Sequence, residues 1–240
     1  MHCTVLMPAY NTSVFIGDAI KSVLSQTYND WDLLIVDDGS RDDTVNVASS
    51  FMKNNPVSII RLRNNKGVAA ATKLGIEYAT GPIITVVDSD DKITKESLAV
   101  AMPHFIADKH LGFLWTSFIC STGRRGWSGP LPKNKTLWEA MTKHRWWRCS
   151  HQRFFRKKHY NKSPGFNERI TASSDFQLAL LMASTGCRTK FISNTTYWYR
   201  MNRKGNLSTD GRYQRRCAIK ALEWAKSGFP EKGRLETCKR

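Results

Sequence analysis

The 240-residue sequence contains no apolar run approaching the ~20 residues that span a bilayer, so no transmembrane helix is expected. Its N-terminus, Met1-His2-Cys3-Thr4-Val5-Leu6-Met7-Pro8, lacks a basic segment ahead of a long apolar stretch. An ordinary secretory leader is therefore not expected, and the chain reads as cytoplasmic. On that reading the Asn-x-Ser/Thr matches at Asn11, Asn134, Asn194 and Asn206 are chance. No two of Cys3, Cys120, Cys149, Cys187, Cys217 and Cys238 form a Cys-x-x-Cys pair, and the six histidines have no zinc-type spacing. That favours reduced thiols over a disulfide scaffold or a zinc site. There is no Walker A sequence and no Gly-x-Gly-x-x-Gly, which argues against P-loop and dinucleotide-binding classes. Internal repeats and low-complexity linkers are also missing.

With 41% hydrophobic and 24% charged residues the chain is an ordinary globular sequence, long enough for a sizeable core. Its charge is uneven. Residues 1–100 hold 9 Lys+Arg and 12 Asp+Glu, a net of −3, whereas residues 101–240 hold 28 and 8, a net of +20. The densest stretch, Arg124 to Lys162, has twelve basic residues and one acidic, Glu139. Trp127, Trp138, Trp146, Trp147, Phe154 and Phe155 are interleaved with those charges. Such asymmetry points to an anionic partner for the second half.

The first hundred residues alternate strand and helix patterns. Short apolar runs at Cys3–Met7, Leu33–Val36, Val57–Leu62 and Ile83–Val87 read as buried strands. Between them, Phe15, Ile16, Ala19, Ile20, Val23 and Leu24 recur at helical spacing. Asp43-Thr44 can cap a helix through Met52, and Val68–Ala79 reads as a third helix. This order predicts a mainly parallel sheet with flanking helices, whose ligands bind beyond the carboxyl ends of the strands. Later, Phe113–Cys120 and Tyr197–Arg200 read as strands, Asp175–Ser184 as a helix, and Tyr213–Trp224 as a basic helix with one apolar side. One continuous domain with two halves, 1–100 and 101–240, is expected.

The polar clusters follow the strands. Asp88-Ser89-Asp90-Asp91 brings three carboxylates to one strand end. They repel each other unless a cation sits there, and Mg²⁺ or Mn²⁺ takes oxygen ligands from carboxylates plus phosphates. The alternative is a solvated turn that caps a helix. Asp37-Asp38-Gly39-Ser40 is a second acidic strand end, where Asp38 could accept hydrogen bonds from a base or ribose, or simply make a turn. Tyr10 could stack on a base or pack in the core.

As an ordered set these residues resemble the family 2 glycosyltransferases of the GT-A fold. The matching segments are Pro8-Ala9-Tyr10-Asn11, Ser22-Val23-Leu24-Ser25-Gln26-Thr27-Tyr28, Val36-Asp37-Asp38-Gly39-Ser40, Asn64-Asn65-Lys66-Gly67-Val68, Gly75-Ile76 and Asp88-Ser89-Asp90-Asp91. The resemblance implies a Rossmann-like α/β fold, inverting transfer, a nucleotide-sugar donor (most often a UDP-sugar) and Mn²⁺ or Mg²⁺. It implies donor contacts from Pro8, Ala9, Tyr10, Asn11, Asp38, Gly67, Asp88 and Ser89, and metal ligation by Asp88 and Asp90. Where the family often has Ala-Arg-Asn, this chain has Ala71-Thr72-Lys73, so Lys73 stands as the replacement cation. Gly165-Phe166-Asn167-Glu168 and Ser174-Asp175-Phe176-Gln177-Leu178 continue the likeness, and Asp175 aligns with the catalytic base. A hydroxyl nucleophile needs such a group to take its proton, although Asp175 could also serve as a helix cap. In Tyr197-Trp198-Tyr199-Arg200-Met201-Asn202, Arg200 would neutralise the diphosphate and Asn202 stands where a metal-binding histidine sometimes occurs.

The acceptor is read from charge. Arg124, Arg125, Trp127, Trp146, Trp147, Arg148, His151, Arg153, Arg156, Lys157 and Lys158 combine cations for phosphates with rings for bases. The leading acceptor on that pattern is the hydroxymethyl group of a modified pyrimidine in DNA, as in phage or virus hypermodification. The rival is a surface polysaccharide or lipid-linked glycan, with the basic C-terminal helix on an anionic membrane surface. A third reading, of another class, is a degenerate transferase kept as a nucleic-acid-binding module.

Overall fold

The computed structural model describes residues 1–126, 128–143, 148–201 and 211–229. Its centre is an eight-stranded sheet, formed by β1 (Cys3–Ala9), β2 (Trp31–Asp37), β3 (Val57–Arg61), β4 (Ile83–Val86), β5 (Lys92–Ile93), β6 (Leu111–Cys120), β7 (Arg153–Arg156) and β8 (Arg188–Tyr199). The spatial order is β3-β2-β1-β4-β7-β6-β8-β5. Strands β3, β2, β1 and β4 are parallel, β7 runs antiparallel to β4 and β6, and β8 pairs parallel with β6. Hence the expected mixed, mainly parallel α/β sheet is present.

The helices are α1 (Ser13–Leu24), α2 (Thr44–Ser49), α3 (Val68–Tyr78), α4 (Ser97–Ala107), α5 (Leu137–Lys143), α6 (Lys157–Tyr160), α7 (Ser174–Ser184) and α8 (Gly211–Lys226). None of the described helices is long and apolar enough to cross a membrane. Period-2 alternation sends β1 side chains to two apolar layers. Leu6 joins Leu34, Ala71, Ile76 and Leu181 on one face, while Val5 and Met7 join Ile16, Ile20, Leu98 and Phe105 on the other. Burial on both faces explains why the strands read as continuous apolar runs.

The sequence reading missed α4, α5, α6, β5 and β7. Pro103 inside α4 disguised that helix, and β7 carries an arginine at each end of its four residues. Helix α2 stops at Ser49, short of the expected Met52.

The basic stretch does not form one surface. Strand β7 runs from the carboxyl end of β4 to its amino end, where Arg156 pairs with Ile83. There Arg156 is 6% exposed and donates to the carbonyls of Leu111 (3.1 Å), Phe105 (2.9 Å) and Asp108 (3.2 Å). Lys157 Nζ donates to the carbonyls of Glu77 (3.1 Å) and Ala79 (2.7 Å), and Lys158 Nζ to that of Lys109 (3.4 Å). Arg156 and Lys157 cap the C-termini of α4 and α3, where unpaired carbonyls and the negative end of the helix dipole favour a cation.

Candidate active site

The carboxyl ends of β1, β2 and β4 open on a cavity of about 780 Å³. From the first half it is lined by Pro8, Ala9, Tyr10, Asp38, Gly67 and Asp88-Ser89-Asp90; from the second half by Phe118, His151, Asp175, Tyr199 and Tyr213 among others.

At one end, loops are tied by short polar contacts. Asp38 is 2% exposed, and its two oxygens accept from the backbone N–H groups of Lys66 (2.7 Å) and Gly67 (2.8 Å). Burial pushes its carboxyl pKa up, against the lowering effect of those two N–H donors. Asp38 thus holds the loop between β3 and α3 against the cavity. Gly67 sits at φ +93°, a conformation L side chains rarely adopt, and Gly39 at φ +74°. A Cβ on Gly39 would stand 2.8 Å from the Asn64 carbonyl carbon. Asn11 N–H donates to Ser40 Oγ (2.9 Å) and Arg41 N–H to Asn11 Oδ1 (2.9 Å), which joins the β1 and β2 exits. Tyr10 is 40% exposed on the cavity wall, where a ring is free to stack, and not in the core.

The acidic turn after β4 is braced from behind. Asp91 is 1% exposed; it accepts from Tyr197 OH (2.8 Å) and from the Arg200 N–H (2.7 Å). Burial raises its pKa well above the usual carboxylate value. The Arg200 guanidinium donates to the Asp90 carbonyl (2.8 Å) and stacks on Phe15 and Trp198, 4.6 and 4.7 Å from their centroids. Arg200 is not among the cavity-lining residues, so it serves the turn.

Burial first, then the Asp90 and Asp175 carboxylates, push Asp88 up to about 7, against the pull of Arg153. Concentrated negative charge at the end of a buried strand suits a hard divalent ion. Among the described residues no three His, Cys, Asp or Glu side chains close around one point. The donor set therefore fits an ion held by one or two carboxylates and completed by phosphate and water oxygens, in the manner of Mg²⁺ or Mn²⁺.

Asp175 enters the cavity from the first turn of α7. The N-cap position is taken by Ser173, at φ +56°, so Asp175 is not the cap. Its Oδ1 accepts from the Phe176 N–H (2.9 Å), and its Oδ2 lies 3.4 Å from Arg153 Nη1. Arg153 is 3% exposed, and its Nη2 lies 3.4 Å from His151 Nδ1. Burial, with Arg153 beside it, holds His151 well below its usual pKa, so the ring is neutral. It stacks on Tyr197 and Tyr199, at 4.6 and 5.2 Å.

Several expected residues stand elsewhere. Lys73 pairs with Glu168 (2.9 Å) and does not line the cavity, because an exposed carboxylate lies within its reach. Arg153 is buried and cannot meet an acceptor on the surface. Arg156, Lys157 and Lys158 lie at the opposite end of the sheet. Arg124, Arg125 and Arg148 are exposed near the cavity: Gly126 N–H donates to the Phe118 carbonyl (2.9 Å), and Arg148 precedes the lining residues Ser150 and His151 by two positions or more. Trp127, Trp146, Trp147 and Asn202 lie outside the described residues. Sequence reasoning missed Phe118, Tyr213 and Gln214 on the wall, and quoted Tyr199, Tyr197 and Asp91 in motifs without giving them the wall and bracing places they occupy. The Asp-Ser-Asp-Asp run and the Tyr197–Asn202 segment were the only signals for any of these.

A model of the family "Glycosyl transferase family 2" matches residues 4–163. The chondroitin synthase of Escherichia coli is 29% identical over 188 residues, which cover 76% of this chain and 26% of that protein. The chain thus spans about a quarter of that relative's length. Staphylococcus aureus TarS 1–349, solved in complex with UDP, superposes with a TM-score of 0.74 at 20% identity, over 94% of this chain and 65% of that one. The mannosyltransferase PcManGT of Pyrobaculum calidifontis, solved with GDP-Man and Mn²⁺, gives 0.70 at 20% identity, over 96% and 65%. At these identities the likeness is one of fold, the GT-A fold.

Proposed function

The chain belongs to glycosyl transferase family 2, and from that premise we propose that it moves a sugar from a nucleoside-diphosphate donor to a glycan hydroxyl, with inversion. The observation that carries this reading is the convergence of Asp88, Asp90 and Asp175 on one cavity from β4 and α7. Neighbours of the same fold were solved with UDP and with GDP-Man and Mn²⁺, which supports a nucleotide-sugar and a divalent ion.

In this reading the first half holds the donor. Tyr10 stacks on the base, and Asp38 and Gly67 shape its pocket. Asp90 and Asp88 would hold Mn²⁺ or Mg²⁺. When bound, that ion offsets the charge of the departing diphosphate. Asp175 takes the proton of the acceptor hydroxyl, whose oxygen forms the new bond to the anomeric carbon. The bond to the diphosphate breaks on the opposite face, so the configuration inverts.

A surface or lipid-linked glycan is the acceptor favoured here, because a relative that matches 76% of this chain is a chondroitin synthase. The DNA reading has less support than the basic stretch promised: two of its arginines are buried and Lys157 caps a helix. The exposed arginines near the cavity, Arg124, Arg125 and Arg148 on one side and Arg212, Arg215 and Arg216 beside the lining residues Tyr213 and Gln214, suit a glycan that carries acid groups.

The test is release of nucleoside diphosphate with Mn²⁺ and a panel of UDP- and GDP-sugars. Acceptor arms are chondroitin oligosaccharides, a lipid-diphosphate-linked sugar, hydroxymethylcytosine DNA and none. Turnover that depends on a glycan arm supports the proposal. Turnover with the DNA arm alone would restore the DNA reading. No turnover with any donor, together with DNA binding that survives Asp90→Ala, would leave the binding module.

A further inference from the structure

Arg153 is a cation buried within the site. It is 3% exposed, yet among the described residues its Nε and Nη1 make no hydrogen bond, although Nη1 lies 3.4 Å from Asp175 Oδ2. A buried guanidinium with idle donors is costly unless charge compensates it. Here that charge is the Asp175 carboxylate, with Asp88 close enough to be pulled down by the same arginine.

The backbone beneath Arg153 is rigidly held. Its carbonyl accepts from Thr85 Oγ1 (2.8 Å), and that hydroxyl accepts in turn from Gln152 Nε2 (2.9 Å). Gln152 is 0% exposed and its Oε1 accepts from Ser97 Oγ (2.5 Å). The guanidinium is further located by neutral His151 at 3.4 Å, itself clamped between two tyrosine rings. Asp175, by contrast, is held on its other oxygen, among the described residues, by the N–H of the next residue in its own helix. A carboxylate on a single bond can rotate away from a reacting hydroxyl, and a misplacement of about 1 Å can cost about 10²-fold in rate.

We propose that Arg153 is a positioning residue for Asp175, fixing Oδ2 so that the carboxylate faces the acceptor hydroxyl in one orientation. This rests on the reading of Asp175 as the base. Arg153 transfers no proton and touches no substrate; it acts through Asp175.

The experiment is a double-mutant cycle with the full chain: Arg153→Met, Asp175→Asn and the two together, read as kcat and donor KM at saturating Mn²⁺. Arg153→Met is expected to lower kcat about 10²-fold, with donor KM unchanged at saturating Mn²⁺. In the Asp175→Asn background the same substitution should cost nothing further. Arg153→Lys, which retains the charge, should recover part of the loss, and it carries the test if the methionine variant does not fold. Equal losses in both backgrounds, or a raised donor KM at saturating Mn²⁺, would overturn the proposal and make Arg153 a structural or donor-side residue. So would full activity of Arg153→Met beside an inactive Asp175→Asn. Full activity of Asp175→Asn itself would instead sink the assignment of the base.

Discussion

The two halves of the molecule bury charge in mirror-image ways. In residues 1–100 the buried charges are carboxylates, and backbone N–H groups meet them: Lys66 and Gly67 for Asp38, Arg200 for Asp91. In the second half the buried charges are cations, and backbone carbonyls meet Arg156, those of Leu111, Phe105 and Asp108, as those of Glu77 and Ala79 meet the half-buried Lys157. The acids gather where the parallel strands end and build the cavity. The cations that close helix ends gather at the other end of the sheet. A count of basic residues along a chain therefore overstates the charge offered to a partner, since part of it closes helix C-termini. Arg153 is the exception, a buried cation met by a carboxylate, that of Asp175, and close enough to the first half's Asp88 to pull its pKa down.

The contrast can be broken at several points. The largest effect is expected from Asp90→Ala, which should reduce turnover about 10³-fold, near 4 kcal/mol of barrier, without lowering the melting temperature. Steady-state kinetics beside a thermal melt checks both. Arg156→Met strands three carbonyls and should cost roughly 2–4 kcal/mol in denaturant titration while UDP binding persists. Loss of UDP binding with intact stability would contradict its place at the far end. Gly39→Ala forces φ +74° on a side chain that meets the Asn64 backbone, and should cost about 1–3 kcal/mol.

A pH dependence follows from Asp88. Its folded pKa of about 7 lies above the ordinary carboxylate value of about 3.9. Between those values the metal-free folded state binds the extra proton, so the contribution of Asp88 to stability falls as pH rises through that window and is level above it. A divalent ion must displace that proton, so Mn²⁺ affinity should rise roughly tenfold per unit as pH increases towards 7, then flatten. Calorimetric titration at several pH values tests the slope. The smallest effect is expected from Lys158→Ser, whose exposed ammonium makes one long hydrogen bond of 3.4 Å. Stability should change by no more than about 0.5 kcal/mol and acceptor KM not at all. Arg124→Ser with Arg125→Ser should raise the KM for an acidic glycan and flatten its salt dependence.

The first-half sheet was legible because each buried strand is an apolar run and each polar cluster follows it directly. Strand β7 was not, since Arg153 and Arg156 stand at its ends, and only the register against β4 and β6 makes them a buried pair. The interleaved charges and rings of Arg124–Lys162 read as one surface because a linear sequence does not say which end of a sheet each residue reaches.

What the sequence by itself determined is the parallel βα framework and the chemistry of its strand ends. Apolar periodicity and short acidic turns are local properties, fixed by neighbours a few residues apart. Only the tertiary structure decided that Arg153 stands beside Asp175, that Tyr197 and Arg200 brace the Asp88–Asp91 turn, and that Arg156 and Lys157 close helices. Those pairings join residues up to 110 positions apart. The direction of β7 and the packing of β8 set them, and no local pattern encodes which carboxylate or carbonyl a given arginine will meet.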